Sequence, residues 1–316
     1  MGKRIIAIAI SAILSLSLLS GIAFAESSNE LNLDKKTKAI IDAEAIMEIN
    51  SQIGYISPAD KQEGLNKSAL ANKIMTIREK AIKSPNSVTK YDIKMVQSYI
   101  DQYSQNSTID NYIPKSIQEN PDGLVLKANP GDYQSKNLWL PGQVQSTNYY
   151  CGPASAVAVL RGRNINVTQS TMATRLGTTT NGTVLARFPG GLNYYNGTNG
   201  NNFRYALMQG PGSYTTTWAV NMTNASISTI LGNYGVVYDV HMVNSPGSAR
   251  LQGYETMSKA NIYHYVAGEG FNSSSPSNRI CYYYDSNNQK TNLGNRHMNV
   301  TYQTMARLTD DFGLIF

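Results

Sequence analysis

The run "NYYCGPASAVAVL", residues 148–160, sets a cysteine directly before Gly-Pro and a string of small and apolar residues. That string predicts a helix beginning at or near Cys151. Glycine permits a sharp entry, and a proline in the first turn removes an N–H that has no partner inside the helix anyway. Ala154, Val157 and Ala158 then mark a face suited to burial. A free thiol is mostly protonated at neutral pH. At a helix N-terminus the dipole and the unpaired N–H groups favour the thiolate, which is the nucleophilic form. The stretch therefore poses a choice between a buried small hydrophobe and an attacking group.

Working upstream, Gln145 lies six residues before Cys151 and Gln143 two residues further back. A side-chain amide at one of these positions, with the Cys151 backbone N–H, meets the need for donors aimed at a developing oxyanion. Downstream, "NIYHYVAGEGF" and "RICYYYDS" are β-rich runs separated by a Ser/Pro/Asn loop, which predicts an antiparallel pair. The first run carries His264 and the second ends in Asp285. Rigid strands are a suitable place from which an imidazole reaches a sulfur while a carboxylate holds its tautomer.

The combination "QSTNYYCGPAS", a histidine in a strand and an acid ending the next strand resembles the papain-fold cysteine peptidases. It is most similar to the group related to the double-glycine leader peptidases, the family-thirty-nine-like cysteine peptidases. The resemblance covers about residues 136–316. It implies an α+β papain-like fold, with the nucleophile helix packed on an antiparallel sheet. It also implies Cys151 as nucleophile, His264 as base, Asp285 as orienter and Gln145 as oxyanion donor. Peptide or protein would be the substrate, with no metal or organic cofactor. Many relatives carry Gly-aromatic-Asp after the histidine strand; this chain has Gly268-Glu269-Gly270. A cell-wall amidase or acyl transferase with the same three residues, and a non-catalytic surface-binding module, remain the alternatives. A Cys151–Cys281 disulfide would consume the nucleophile, so the two cysteines are expected to be unjoined.

Other polar residues have structural readings. His241 and Asp239 share a strand face and form an alternative pair. His297 reads as a surface or packing residue, Cys281 as core, and Asn287 or Asn288 as a substitute orienter for the histidine.

The flanks set the context. Lys3 and Arg4 precede an apolar run to Leu19, and Ala23-Phe24-Ala25 ends it. This is the pattern of a secretory signal peptide, residues 1–25, and implies an exported chain. Beyond it stand 25 basic and 21 acidic residues, a net charge of +4. That balance excludes a strongly basic nucleic-acid binder and leaves only weak attraction to anionic cell-wall polymers.

Residues 26–135 carry a net −2 and residues 136–316 a net +6. The first part reads as a helical region, 26–104, followed by a linker, 105–135. Its helical faces are Ile40/Ala43/Met47, Leu70/Ile74/Ile77/Ala81, and Val88/Tyr91/Met95/Tyr99 with Ser87 as cap. Three such helices suggest a small bundle acting on the catalytic part as a pro-region or docking helper. In the second part, helices are expected at Gln169–Leu176, capped by Thr168 and stopped by Gly177, and near Ala225–Asn233, before the strand "GVVYDVHM".

Overall fold

The structure, a computed structural model, describes residues 52–104, 107–113, 135–197, 203–275 and 277–316. The signal segment, the Ile40/Ala43/Met47 face and most of the 105–134 stretch lie outside the described residues. The helices are α1 (Pro58–Lys83), α2 (Lys90–Tyr103), α3 (Cys151–Arg161), α4 (Gln169–Leu176), α5 (Phe188–Gly197), α6 (Thr216–Leu231) and α7 (Tyr302–Leu308). The strands are β1 (Ser135–Asn137), β2 (Leu207–Gln209), β3 (Val236–Val243), β4 (Asn261–Asn272), β5 (Ile280–Tyr284), β6 (His297–Thr301) and β7 (Gly313–Ile315). All pairings are antiparallel, in the order β2-β7-β3-β4-β5-β6, with β1 added beside the last residues of β4. The chain is thus α+β, with the predicted cysteine helix packed on the sheet at β4.

β4 is the organising strand. Its first eight residues pair with β3, from Asn261↔Val243 to Gly268↔Val236, and its last three pair with β1. On its other edge it pairs with β5, and a bulge between Gly268 and Gly270 shifts that register. Apolar residues pack on both faces. One cluster gathers Tyr238, Val266, Phe271 and Cys281 with α6 and α7; the other gathers Val237, Ala267 and Tyr284 with α3, α4 and α5. A strand buried on both faces reads as a nearly continuous apolar run, as "VVYDVHMV" and "IYHYVAG" do.

Helix α3 was expected to be amphipathic, but every residue from Gly152 to Leu160 is buried. Small side chains let α4, α5 and β4 close around it. Gly152 is one case where no side chain fits: a Cβ there would lie 2.5 Å from Thr183 Oγ1. Helix α4 has the expected bounds, with Thr168 capping Thr171 N–H and Gly177 left-handed at φ 62. Helix α6 begins at Thr216, well before the predicted start at Ala225, because Thr215 caps it and Trp218 and Met222 extend its buried face.

The two described N-terminal helices do not form a separate bundle. α1 packs along α6 and β2, and all described residues belong to one compact unit, Ile46–Phe316. Ile74, Met75, Ala81, Val96 and Tyr99 join the same cluster as Trp218, Met222 and Val236. Each large side chain buried there contributes about 1.5–3 kcal/mol. The cap of α2 is Thr89, which forms a capping box with Asp92; Ser87 instead sits in a 3₁₀ turn and donates to Ser84 O. That two-residue shift turns Tyr91 outward and puts Val96, Tyr99 and Ile100 inside. Lys67 of α1 is fully buried. Its ammonium donates to the carbonyl oxygens of Arg204 and Phe316 beneath the Phe203 ring, and burial pushes its pKa well below the usual lysine value. No helix among the described residues is long and apolar enough to cross a membrane.

Candidate active site

Three elements converge on one groove of about 480 Å³: the N-terminus of α3, the start of β4, and the residues just after β5. Cys151 is the first residue of α3. Its N-cap, Tyr150, makes no side-chain capping bond. Ser155, one turn on, donates its hydroxyl to Tyr265 O on β4 at 3.0 Å, which ties the helix to the strand next to His264.

His264 is 4% exposed and Asp285 0%. His264 Nε2 donates to Asp285 Oδ1 at 2.8 Å, leaving Nδ1 as the ring nitrogen available to sulfur, and Cys151 lies close enough on the same groove to act on the ring electrostatically. Burial opposes charge on the imidazole, but the Asp285 carboxylate and the Cys151 sulfur outweigh it and raise the pKa to about 10. For Asp285, burial also opposes the charge. Coulombic attraction and the hydrogen bond from His264, with bonds from Asn287 N–H and Tyr254, still hold its carboxyl below the usual value.

Two residues fix the carboxylate: Tyr254, which the sequence reading did not select, and Asn287, which it offered as a substitute orienter. Tyr254 donates its hydroxyl to Asp285 Oδ2 at 3.0 Å, and Asn287 donates its backbone N–H to Oδ1 at 2.8 Å and its side-chain amide to Tyr254. Asn287 therefore holds the orienter and is not the orienter itself. Tyr254 comes from an irregular loop where no periodicity could have marked it.

Gln145 is buried and lines the groove, whereas Gln143 is exposed. Its backbone N–H donates to Ser286 O at 2.8 Å, and its amide nitrogen donates to Thr147 O at 2.9 Å, which uses one of two amide hydrogens. The flanking backbone is clamped by Gln169, the first residue of α4. Gln169 Oε1 accepts Ser146 N–H and its amide donates to Val144 O, both at 2.9 Å. Gln169 read only as a helix start; its burial is the signal of this role.

The remaining candidates lie elsewhere. His241 does not pair with Asp239. Its Nδ1 meets Asp311 Oδ2 at 2.6 Å and its Nε2 meets Asn261 at 3.1 Å, while Asp239 is buried and bonded to Tyr265. His297 bonds the buried Glu269. Both cysteines are free, and Cys281 is buried in the core, where burial pushes its thiol up to about 12. Among the described residues, no group of three or more His, Cys, Asp or Glu is placed to hold a metal.

Cys151 at a helix end and His264 thus line one groove, with the buried Asp285 bonded behind the imidazole. The chain belongs to the Peptidase_C39 like family, whose model matches residues 137–309. No curated protein matches the chain significantly. Among solved structures it is similar to a recombinant stem bromelain precursor, at 11% identity over 88% of this chain and 97% of that one, with a TM-score of 0.37.

Proposed function

We propose that this chain is a secreted cysteine peptidase that hydrolyses peptide bonds through Cys151, His264 and Asp285. The observation that carries the reading is the placement of Cys151 on one groove with a His264 ring whose Nε2 is already committed to a buried Asp285. The thiolate attacks the substrate carbonyl carbon and forms the C–S bond. The negative oxygen is received by the Cys151 backbone N–H and the second amide hydrogen of Gln145. His264 gives its proton to the leaving nitrogen as the C–N bond breaks. It then takes a proton from water, which attacks the acyl-enzyme and releases the thiolate. Asp285 keeps the ring in the tautomer that presents Nδ1 to sulfur. Export rests on the signal-like residues 1–25.

The test is intact-mass measurement after treatment with iodoacetamide at mildly acidic pH, with mapping of the labelled residue. Preferential labelling of Cys151, lost in His264→Ala, supports the reading. Labelling no faster than that of a free thiol overturns it.

The N-terminal helices are in this reading a standing part of the enzyme and not a pro-region that leaves. They share the core beneath α6, and Gln52, just ahead of α1, lines the groove itself. Residues 136–316 produced alone are expected to fail to fold, as judged by near-ultraviolet circular dichroism. A folded short form with faster Cys151 alkylation would restore the pro-region.

A further inference from the structure

The Gly268-Glu269-Gly270 stretch, which departs from the family pattern, builds a second groove away from Cys151. The bulge lies between its two glycines. Glu269 is fully buried and accepts Leu140 N–H at 3.0 Å and His297 Nδ1–H at 2.8 and 2.9 Å. Gly270 then falls in a row that crosses four strands in register: Asn137, Gly270, Tyr282, Asn299. A Cβ on Gly270 would lie 2.7 Å from Lys136 O and 3.0 Å from Asn137 Cα, so no side chain fits there. The close approach of β1 to β4 at Gly270 brings Asn137, Tyr282 and Asn299 together along a groove of about 350 Å³.

Trp139 walls that groove. Its side chain is 62% exposed and its backbone is left-handed at φ 48, held by a bond from its N–H to Asn137 Oδ1 at 2.9 Å. Its indole meets the His297 ring edge-on at 5.2 Å. A left-handed tryptophan costs on the order of 1–2 kcal/mol, and exposing the indole forfeits its burial. Nothing in the packing of the sheet requires either.

The groove's charges are neutralised from within. Glu269 is satisfied by His297 and Leu140. The Lys136 ammonium turns away to Leu231 O and Asn233 Oδ1, and burial lowers its pKa to about 8. What faces outward is two aromatic rings, the amides of Asn137 and Asn299, and the Nε2 side of His297. Aromatic faces receive the C–H faces of sugar rings, while amides and an imidazole pair with hydroxyls. We propose that this groove binds a neutral saccharide chain, stacked on Trp139 and Tyr282. A proline-rich peptide also suits an aromatic groove, but its prolines carry no N–H and give nothing to the acceptor atoms of Asn299 and His297, whereas sugar hydroxyls both donate and accept.

The full-length chain has two tryptophans, and the other, Trp218, is 5% exposed with its N–H on Ala306 O. Acrylamide quenching therefore reports on Trp139. The probes are the tetramer of β-1,4-linked N-acetylglucosamine, cellotetraose and a proline-rich peptide. We expect at least one tetrasaccharide to shield Trp139. By calorimetry, Trp139→Gly, which suits the left-handed backbone, should weaken that binding ~tenfold or more, and Asn299→Ala several-fold. Shielding by neither sugar, shielding by the peptide alone, or undiminished sugar binding in Trp139→Gly would each overturn the proposal. None of these readouts depends on the chemistry of Cys151.

Discussion

Two histidine–carboxylate pairs stand on the same strands and are wired in opposite senses. In the first, the histidine is on β4 and the acid follows β5; the bond uses Nε2 and leaves Nδ1 beside Cys151. In the second, the acid is on β4 and the histidine on β6; the bond uses Nδ1 and leaves Nε2 on the side of the second groove, next to the Trp139 ring. Even His241 has a carboxylate partner, Asp311. A histidine paired with a carboxylate is therefore common to all three histidines of the chain and distinguishes none of them. What separates them is the group on the remaining ring nitrogen. Only His264 has a thiol there, on a helix end.

The sharpest way to break this comparison is to exchange the outcomes of its two halves. Cys151→Ala should lower peptide hydrolysis by roughly four to six orders of magnitude, with circular dichroism unchanged, while His297→Ala leaves hydrolysis intact. Loss of hydrolysis in a folded His297→Ala would put the chemistry in the wrong groove. Next in size is Asp285→Asn, expected to reduce kcat by ~10²–10⁴ with little change in KM, in steady-state assays on the same peptide. Glu269→Gln should leave kcat where it is.

Stability against pH gives a smaller effect with a definite sign. His264 has a folded pKa of about 10, raised above an unfolded value near 6.5. Its contribution is fully present below the unfolded value and is lost as pH rises through the folded one. The melting temperature should fall between about pH 6.5 and 10 on this account. His241, also raised by Asp311, adds a slope of the same sign. Thermal melts of Asp285→Asn separate the two, because only the His264 part should shrink. Asp285 acts in the opposite direction, stabilising above the ordinary carboxylate pKa and losing that effect as pH falls. The smallest effect is expected from Gln169→Leu, which strands Ser146 N–H and Val144 C=O. It should cost about 1–2 kcal/mol in urea denaturation and lower kcat through Gln145. An unchanged kcat would show that the clamp holds the loop without serving the site.

The candidate residues that the structure gathers at the first groove were legible in the sequence where chemistry and local structure coincide. Cys151 announced itself through Gly-Pro and the helix behind it, and His264 and Asp285 through two adjacent β-rich runs. Tyr254 and Gln169 act across long loops, and no spacing encodes such contacts, whereas Asn287 reaches Asp285 from only two residues on. The fold was legible for the interior elements, α4, β3, β4 and β5. The short strands β1, β2 and β7 were not, because three residues give no periodicity and their pairing is a tertiary matter. Ser87 reads as the cap of α2 because it precedes the apolar periodicity, but Thr89 is the residue that fills that place. The Asp92 carboxylate, bonded to Thr89 N–H, decides between them. His297 looked like surface because its partner, Glu269, is reached only through a bulge.

The position of β7 bears on when the molecule can assemble. The last strand of the chain is not at an edge; it lies between β2 and β3, and Phe316 exchanges backbone bonds with Ala206. Phe316 also closes the box around the Lys67 ammonium, 249 residues earlier. β2 and β3 have no strand between them until residues 313–316 arrive, so this part of the sheet closes only through contacts distant in sequence. Closing contacts over such separations is slow. Until then the facing edges of β2 and β3 stay unpaired, and deletion of residues 313–316 should hold the chain in that open state.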